Sequence, residues 1–161
     1  MKNIYLDNNA TTWVPPEVVE EMLPYFTKFY HNPSSMYEAA LASADALRSA
    51  RERIRSFIGA QQSSEILFTS CATESNSTAI RGAAMAQPHR RHIITTQVEH
   101  PAVLALCQEM ERQGYELDYI GVDEDGQLDL NAYVKAIRPQ ETLIVSIMHA
   151  NNEVGTINPI A

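Results

Sequence analysis

The sequence predicts an α/β fold, a mostly parallel sheet with helices on both faces. Three observations carry that expectation. Short apolar runs rich in Ile, Val and Thr alternate with longer stretches of helical periodicity. The boundaries between them hold Pro, Gly, Asp or Asn, which cap helices and turn the chain. The chain has 161 residues, 45% hydrophobic and 20% charged, which suffices for one compact domain with its own core.

Taken in order, the chain starts extended at Ile4 to Asp7 and passes into the polar, turn-like run Asn8 to Thr12. A helix follows from Pro16 to Phe26, with the proline in the first turn, where its missing N–H is no loss. His31 to Ser35 reads as a loop. A long helix comes next, with Ala40, Ala44, Leu47, Ile54 and Phe57 on one apolar stripe and Gly59 closing it. Ile66 to Thr69 is expected as a first short strand, and Thr73 to Ala86 as a helix. His92 to Thr96 reads as the second strand. Pro101 opens a helix striped by Val103, Leu106, Cys107 and Met110, which stops at Gly114. Glu116 to Ile120 is the third strand, with a turn at Asp123 to Gly126. Leu130 to Arg138 is helical, and Leu143 to Met148, strongly apolar, is the fourth strand and the one expected to be most buried. This spacing implies right-handed crossovers. Asn158 and Pro159 then signal the cap and first turn of a further helix, so the chain is expected to be truncated, with a bare sheet edge and apolar surface.

Composition narrows the function. The net charge is −8, and the densest basic stretch, Arg48, Arg51, Arg53 and Arg55, interleaves with Glu52 as a solvated helix face. No nucleic-acid partner is expected. There is no apolar stretch long enough for a membrane span and no signal pattern, so no membrane association and a cytoplasmic location are expected. Cys71 and Cys107 form neither a disulfide framework nor a metal pair, and the five histidines lack ligand spacing, so no metal is expected. No G-x-G-x-x-G follows a strand, which disfavours a Rossmann-type nucleotide binder.

Four polar clusters stand beside the strands, and ligands of open α/β sheets sit beyond strand carboxyl ends. Phe68 to Asn76 is a strand–turn–helix unit whose helix start suits a phosphate, although Ser and Thr there are more often plain caps. Val98 to Pro101 places His100 just before a proline-started helix. His149 to Thr156 supplies two asparagines and a glutamate that an apolar core would not need. Asn8 to Thr12 is the fourth.

Five segments carry a family resemblance: Leu6 to Thr12, Asn32 to Ser35, Phe68 to Ser75, Glu99 to Leu104, and Asn151 to Gly155. In this order they resemble the cysteine desulfurases (NifS/IscS-like), class V enzymes of the fold-type I pyridoxal-phosphate (PLP) group. The match spans nearly all of this chain and about the first two-fifths of such an enzyme. The resemblance implies an incomplete PLP-transferase large domain from residue 16 to 161, preceded by an N-terminal segment, 1–15, of the small domain or an arm. It implies that Ala72 and Thr73 hold the PLP phosphate, that His100 stacks on the pyridine ring and helps move protons, and that Asn152 bonds the ring's phenolic oxygen. It further implies conversion of L-cysteine to L-alanine, with sulfur passed as persulfide to an acceptor or scaffold protein for iron–sulfur cluster or other sulfur-compound assembly, in a homodimer.

Two departures stand out. Cys71 occupies a position where many relatives carry glycine; a helix-start thiol is acidified, yet a small residue at a tight turn explains it without chemistry. Met36 and Tyr37 stand where relatives often carry a histidine. The family also places its Schiff-base lysine and mobile cysteine downstream. The three lysines here, Lys2, Lys28 and Lys135, are expected to be solvated, and Cys107 to be core. The expectation is therefore part of a desulfurase that needs the remaining C-terminal portion. Its alternative is an inactive remnant or interaction module of the same fold.

Overall fold

The computed structural model describes residues 4–159. Lys2 and the first residues of the expected N-terminal arm lie outside that range. The chain divides into two compact units, Met1–Phe68 and Thr69–Ala161.

The first unit is built on two helices, α1 (Pro16–Thr27) and α2 (Leu41–Ile58). Pro15 and Pro16 set the start of α1. Gly59, at φ 73, ends α2 in the left-handed conformation that glycine adopts without a Cβ penalty. The expected turn at Asn8 forms, with the Ala10 N–H donating to the Asp7 carbonyl. The stripe on α2 is present but does not close a core. Ala40 is fully buried, whereas Leu47 and Ile54 are about two-fifths exposed and Phe57 is 91% exposed. An apolar stripe buries only against a facing apolar layer, and among the described residues this unit brings one other α-helix to it. The arginines of α2 are also less free than expected. Arg51 and Arg55 donate to the Ile66 and Ala60 carbonyls, and Arg48 and Arg55 pair with Asp45 and Glu52.

One expected strand is absent. Ile66 to Thr69 joins no ladder among the described residues, because a strand exists only through backbone pairing and no partner strand runs beside it. Leu67 is accordingly 67% exposed.

The second unit holds α3 (Ala72–Ala86), β1 (His92–Thr96), α4 (Pro101–Arg112), β2 (Glu116–Ile120), α5 (Leu130–Ala136) and β3 (Thr142–Ser146). The three strands form one parallel sheet in the order β2-β1-β3. The most buried strand is β1, every residue of which is buried, rather than β3 as expected. Position decides this: β1 is flanked on both sides, while β3 is an edge, with Val145 37% exposed. Strand β3 also ends at Ser146, two residues sooner than its apolar run. Helix α5 stops at Ala136, ahead of Pro139, whose ring disfavours helical geometry in the residue before it.

Adjacent strand residues point to opposite faces, and Ile93 and Ile94 separate the two cores accordingly. Ile93 packs with Ile80 and Ala84 of α3, with Val103, Leu106, Cys107 and Met110 of α4, and with Leu143. Ile94 packs with Ile120 and Leu128 and with the apolar side of α5 through Ala132, Tyr133 and Ala136. Cys107 is fully buried, as its stripe required, and burial pushes its thiol pKa up. At the amino edge of the sheet, buried His92 spans all three strands. Its Nδ1 lies 2.9 Å from the Thr142 hydroxyl and its Nε2 3.0 Å from Asp118. Arg138 sits beyond them, pairing with Asp118 and Glu116.

Candidate functional site

The carboxyl edge of the same sheet is where the predicted site residues emerge. His100 follows β1 by four residues and caps α4, its Nδ1 accepting the Ala102 N–H at 3.1 Å. That bond fixes the ring's orientation. In the neutral ring it leaves Nε2 as the nitrogen carrying the proton. The side chain is exposed. Asn152 leaves the end of β3 by six residues and is also exposed, its amide donating to Glu153 at 3.2 Å.

The start of α3 reaches this edge as well. Ile80 and Ala84, in the second half of α3, pack on Ile93 and Leu143, near the amino ends of β1 and β3. The other end of the helix, with Ala72 and Thr73, therefore points toward the carboxyl edge. The first-turn N–H groups of a helix have no acceptor within it and carry the positive end of its dipole. Glu74 turns back so that its Oε2 accepts from both the N–H and the hydroxyl of Ser70, at 2.7 and 2.6 Å. Those bonds hold its carboxyl below the usual range. Thr69 and Ser75 hydroxyls meet at 2.6 Å and brace the turn. Cys71 is exposed in that turn, and its thiol pKa is lowered by the Glu74 N–H first and the Ser70 hydroxyl second.

The loops are tied together by Glu99 and Asn151, members of the polar clusters to which the sequence assigned no individual role. Glu99 is buried, and its carboxylate accepts from the Thr96 hydroxyl and the Met148 N–H. Asn151 is buried too; its Oδ1 accepts the Glu153 and Val154 N–H groups, and its Nδ2 reaches the Val98 carbonyl. Their signal is positional: each stands just beyond a strand, where backbone groups lose their ladder partners and need side-chain substitutes. The loop of Asn152 also rests on the turn after β2. Thr156 donates to the Asp125 carbonyl at 2.7 Å, close above Gly126 at φ 75.

Residues 4–161 match the family described as "Aminotransferase class-V". The chain belongs to that family. Among its class-V relatives is a "Cysteine desulfurase" of Trichormus azollae, 54% identical over 160 residues, covering 99% of this chain and 40% of the relative. "Cysteine desulfurase NifS" of Azotobacter vinelandii is 49% identical, with the same coverage. A solved "NIFS-LIKE PROTEIN" superposes with a TM-score of 0.92 at 40% identity, covering 98% of this chain and 43% of that one. Another, "SspA in complex with cysteine", gives 0.89 at 38% identity, covering 97% and 45%. The class-V chain described above thus spans about two-fifths of the length of the relatives it matches.

The donor set suits a class-V cofactor with a phosphate and a flat ring: amide N–H groups at a helix start, a flat imidazole, and an amide donor. A lysine is not among them. Lys135 lies in the last turn of α5, which leads into the amino end of β3, so it stands by the opposite edge. Lys28 belongs to the first unit, over the Phe29 ring. Among the described residues no group of His, Cys, Asp and Glu could hold a metal, and no helix is long and apolar enough to cross a membrane.

Proposed function

We propose that this chain forms the front part of a PLP-dependent cysteine desulfurase. In this reading residues 16–161 belong to the PLP-binding large domain and 1–15 to an N-terminal segment of the small domain or an arm. The enzyme would take L-cysteine, release L-alanine and pass sulfur as persulfide to an acceptor or scaffold protein, including for iron–sulfur cluster assembly. It would act in the cytoplasm as a homodimer, with the remaining C-terminal portion of the family's length supplying the lysine and the acceptor cysteine. The observation that carries the reading is the emergence of three polar segments, around Thr73, His100 and Asn152, at one edge of one sheet, in a chain about half identical to named cysteine desulfurases.

In such a site the N–H groups of Ala72 and Thr73 bind the phosphate, with the helix dipole favouring its negative charge. His100 would offer a flat face to the pyridine ring and, in its neutral form, a proton on Nε2 to help proton movement. Asn152 donates to the phenolic oxygen and keeps the ring from turning. Bound PLP supplies the electron sink that weakens the carbon–sulfur bond of the substrate.

A second reading is a catalytically inactive remnant or interaction module, and the position of Lys135 by the opposite edge of the sheet favours it. The two are separated by reconstitution with PLP. A desulfurase gains absorbance in the Schiff-base band and, with a thiol added to reduce the persulfide, releases sulfide from cysteine, whereas a remnant does neither. The intact mass of the native gene product adds to this, since a mass near twice that of this chain or more supplies the remaining portion.

A further inference from the structure

Glu99 has no assigned role, yet its surroundings are unusual for a loop carboxylate. It is only 7% exposed, directly after β1 and beside His100. Its Oε1 accepts the Thr96 hydroxyl at 3.1 Å and the Met148 N–H at 2.6 Å. Met148 lies two residues beyond β3, where the ladder has ended and its N–H has no strand partner. The Met148 carbonyl accepts in turn from the Asn158 amide at 2.9 Å, so the backbone of this residue is held at both its N–H and its carbonyl. A second tie runs from Asn151 Nδ2 to the Val98 carbonyl at 3.4 Å. Burying a carboxylate is costly unless it is hydrogen-bonded, and bonds to a charged acceptor are the stronger kind. Packing alone would be served by an apolar side chain. A bond joining residues 49 positions apart serves alignment instead.

We propose that Glu99 is a positioning residue that yokes the loop of His100 to the loop of Asn152, setting the spacing between the imidazole and the amide donor. This rests on the cofactor reading above. Glu99 itself does not touch the ligand.

The test has two readouts. The first is hydrogen exchange at the Met148 amide, referenced to the Ile94 amide in the middle of β1, which reports whole-unit opening. In Glu99→Ala the Met148 amide exchanges about tenfold faster relative to Ile94, as loss of a bond to a charged group requires. Glu99→Gln, which keeps an oxygen at the same reach, restores most of the protection. Should the alanine variant not fold, Glu99→Asp, one methylene shorter, carries the same comparison.

The second readout is binding of deoxypyridoxine phosphate, which lacks the aldehyde and cannot react with lysines. His100→Ala and Asn152→Ala are combined as a double-mutant cycle, in the wild-type and in the Glu99→Ala background. Their effects are non-additive in the wild type and additive without Glu99. A merely structural role would weaken binding and leave the coupling intact. Unchanged Met148 protection, or coupling that survives in Glu99→Ala, overturns the proposal. If the wild type binds no ligand at all, the cofactor reading falls, while the exchange ratio still decides whether Glu99 joins the two loops.

Discussion

The two edges of the sheet use the same kinds of side chain to opposite ends. At the amino edge, His92 is enclosed, with both ring nitrogens engaged by Thr142 and Asp118, and Arg138 completes the charge balance. At the carboxyl edge, His100 spends one nitrogen on the helix it caps and leaves the ring exposed. Polar groups at one edge are consumed by the fold, whereas at the other the fold's own residues, Glu99 and Asn151, hold the loops so that His100 and Asn152 face outward. A histidine in this protein is thus read by what its neighbours leave unspent, and residue type alone would not separate the two.

The comparison breaks most sharply at His92. His92→Leu leaves Asp118 and Thr142 without their buried partner and should cost about 1–3 kcal/mol of stability. Denaturant unfolding of the chain measures this, and affinity for a pyridoxal-type phosphate should stay unchanged. A loss of affinity with unchanged stability would show that the two edges are not separate in role.

A smaller effect is expected at Gly126. Its φ of 75 disfavours any side chain, and a Cβ there would meet the Thr156 hydroxyl at 3.1 Å and Val154 at 3.3 Å. Gly126→Ala should cost about 1–2 kcal/mol for the left-handed backbone. The same push should move the loop of Asn152, visible as shifted amide resonances from Asn151 to Thr156, with those of His92 and Thr142 unmoved.

The smallest effect sharpens the contrast between surface and core. The Cys71 thiol pKa is lowered and the Cys107 thiol pKa is raised by burial. A lowered pKa means more thiolate at any given pH, so alkylation of Cys71 should reach half its maximal rate below the ordinary thiol value. Cys107 should resist the reagent until the fold opens. Mass spectrometry of the folded chain across a pH series checks both, and equal rates for the two would refute the assignment.

Much of this was legible in the sequence, for identifiable reasons. His92–Thr96 and Glu116–Ile120 fall where their apolar runs and flanking turn residues put them, and Cys107 is core because its stripe is complete. What depends on a distant partner was not legible. Ile66 to Thr69 has strand composition but no neighbour to pair with among the described residues. Phe57 sits on an apolar stripe but is 91% exposed among the described residues. The burial of Glu99 has no local signal, because Met148, far along the chain, supplies the N–H that justifies it.

The central claim is that the start of α3 and the loops after β1 and β3 share one phosphorylated aromatic ligand. Amide resonances of the labelled chain, followed during titration with deoxypyridoxine phosphate, test it most directly. The account predicts saturable shifts at Ala72, Thr73, His100 and Asn152, with His92, Asp118 and Thr142 still. Shifts confined to one of the three segments, or gathered at the amino edge, would contradict it.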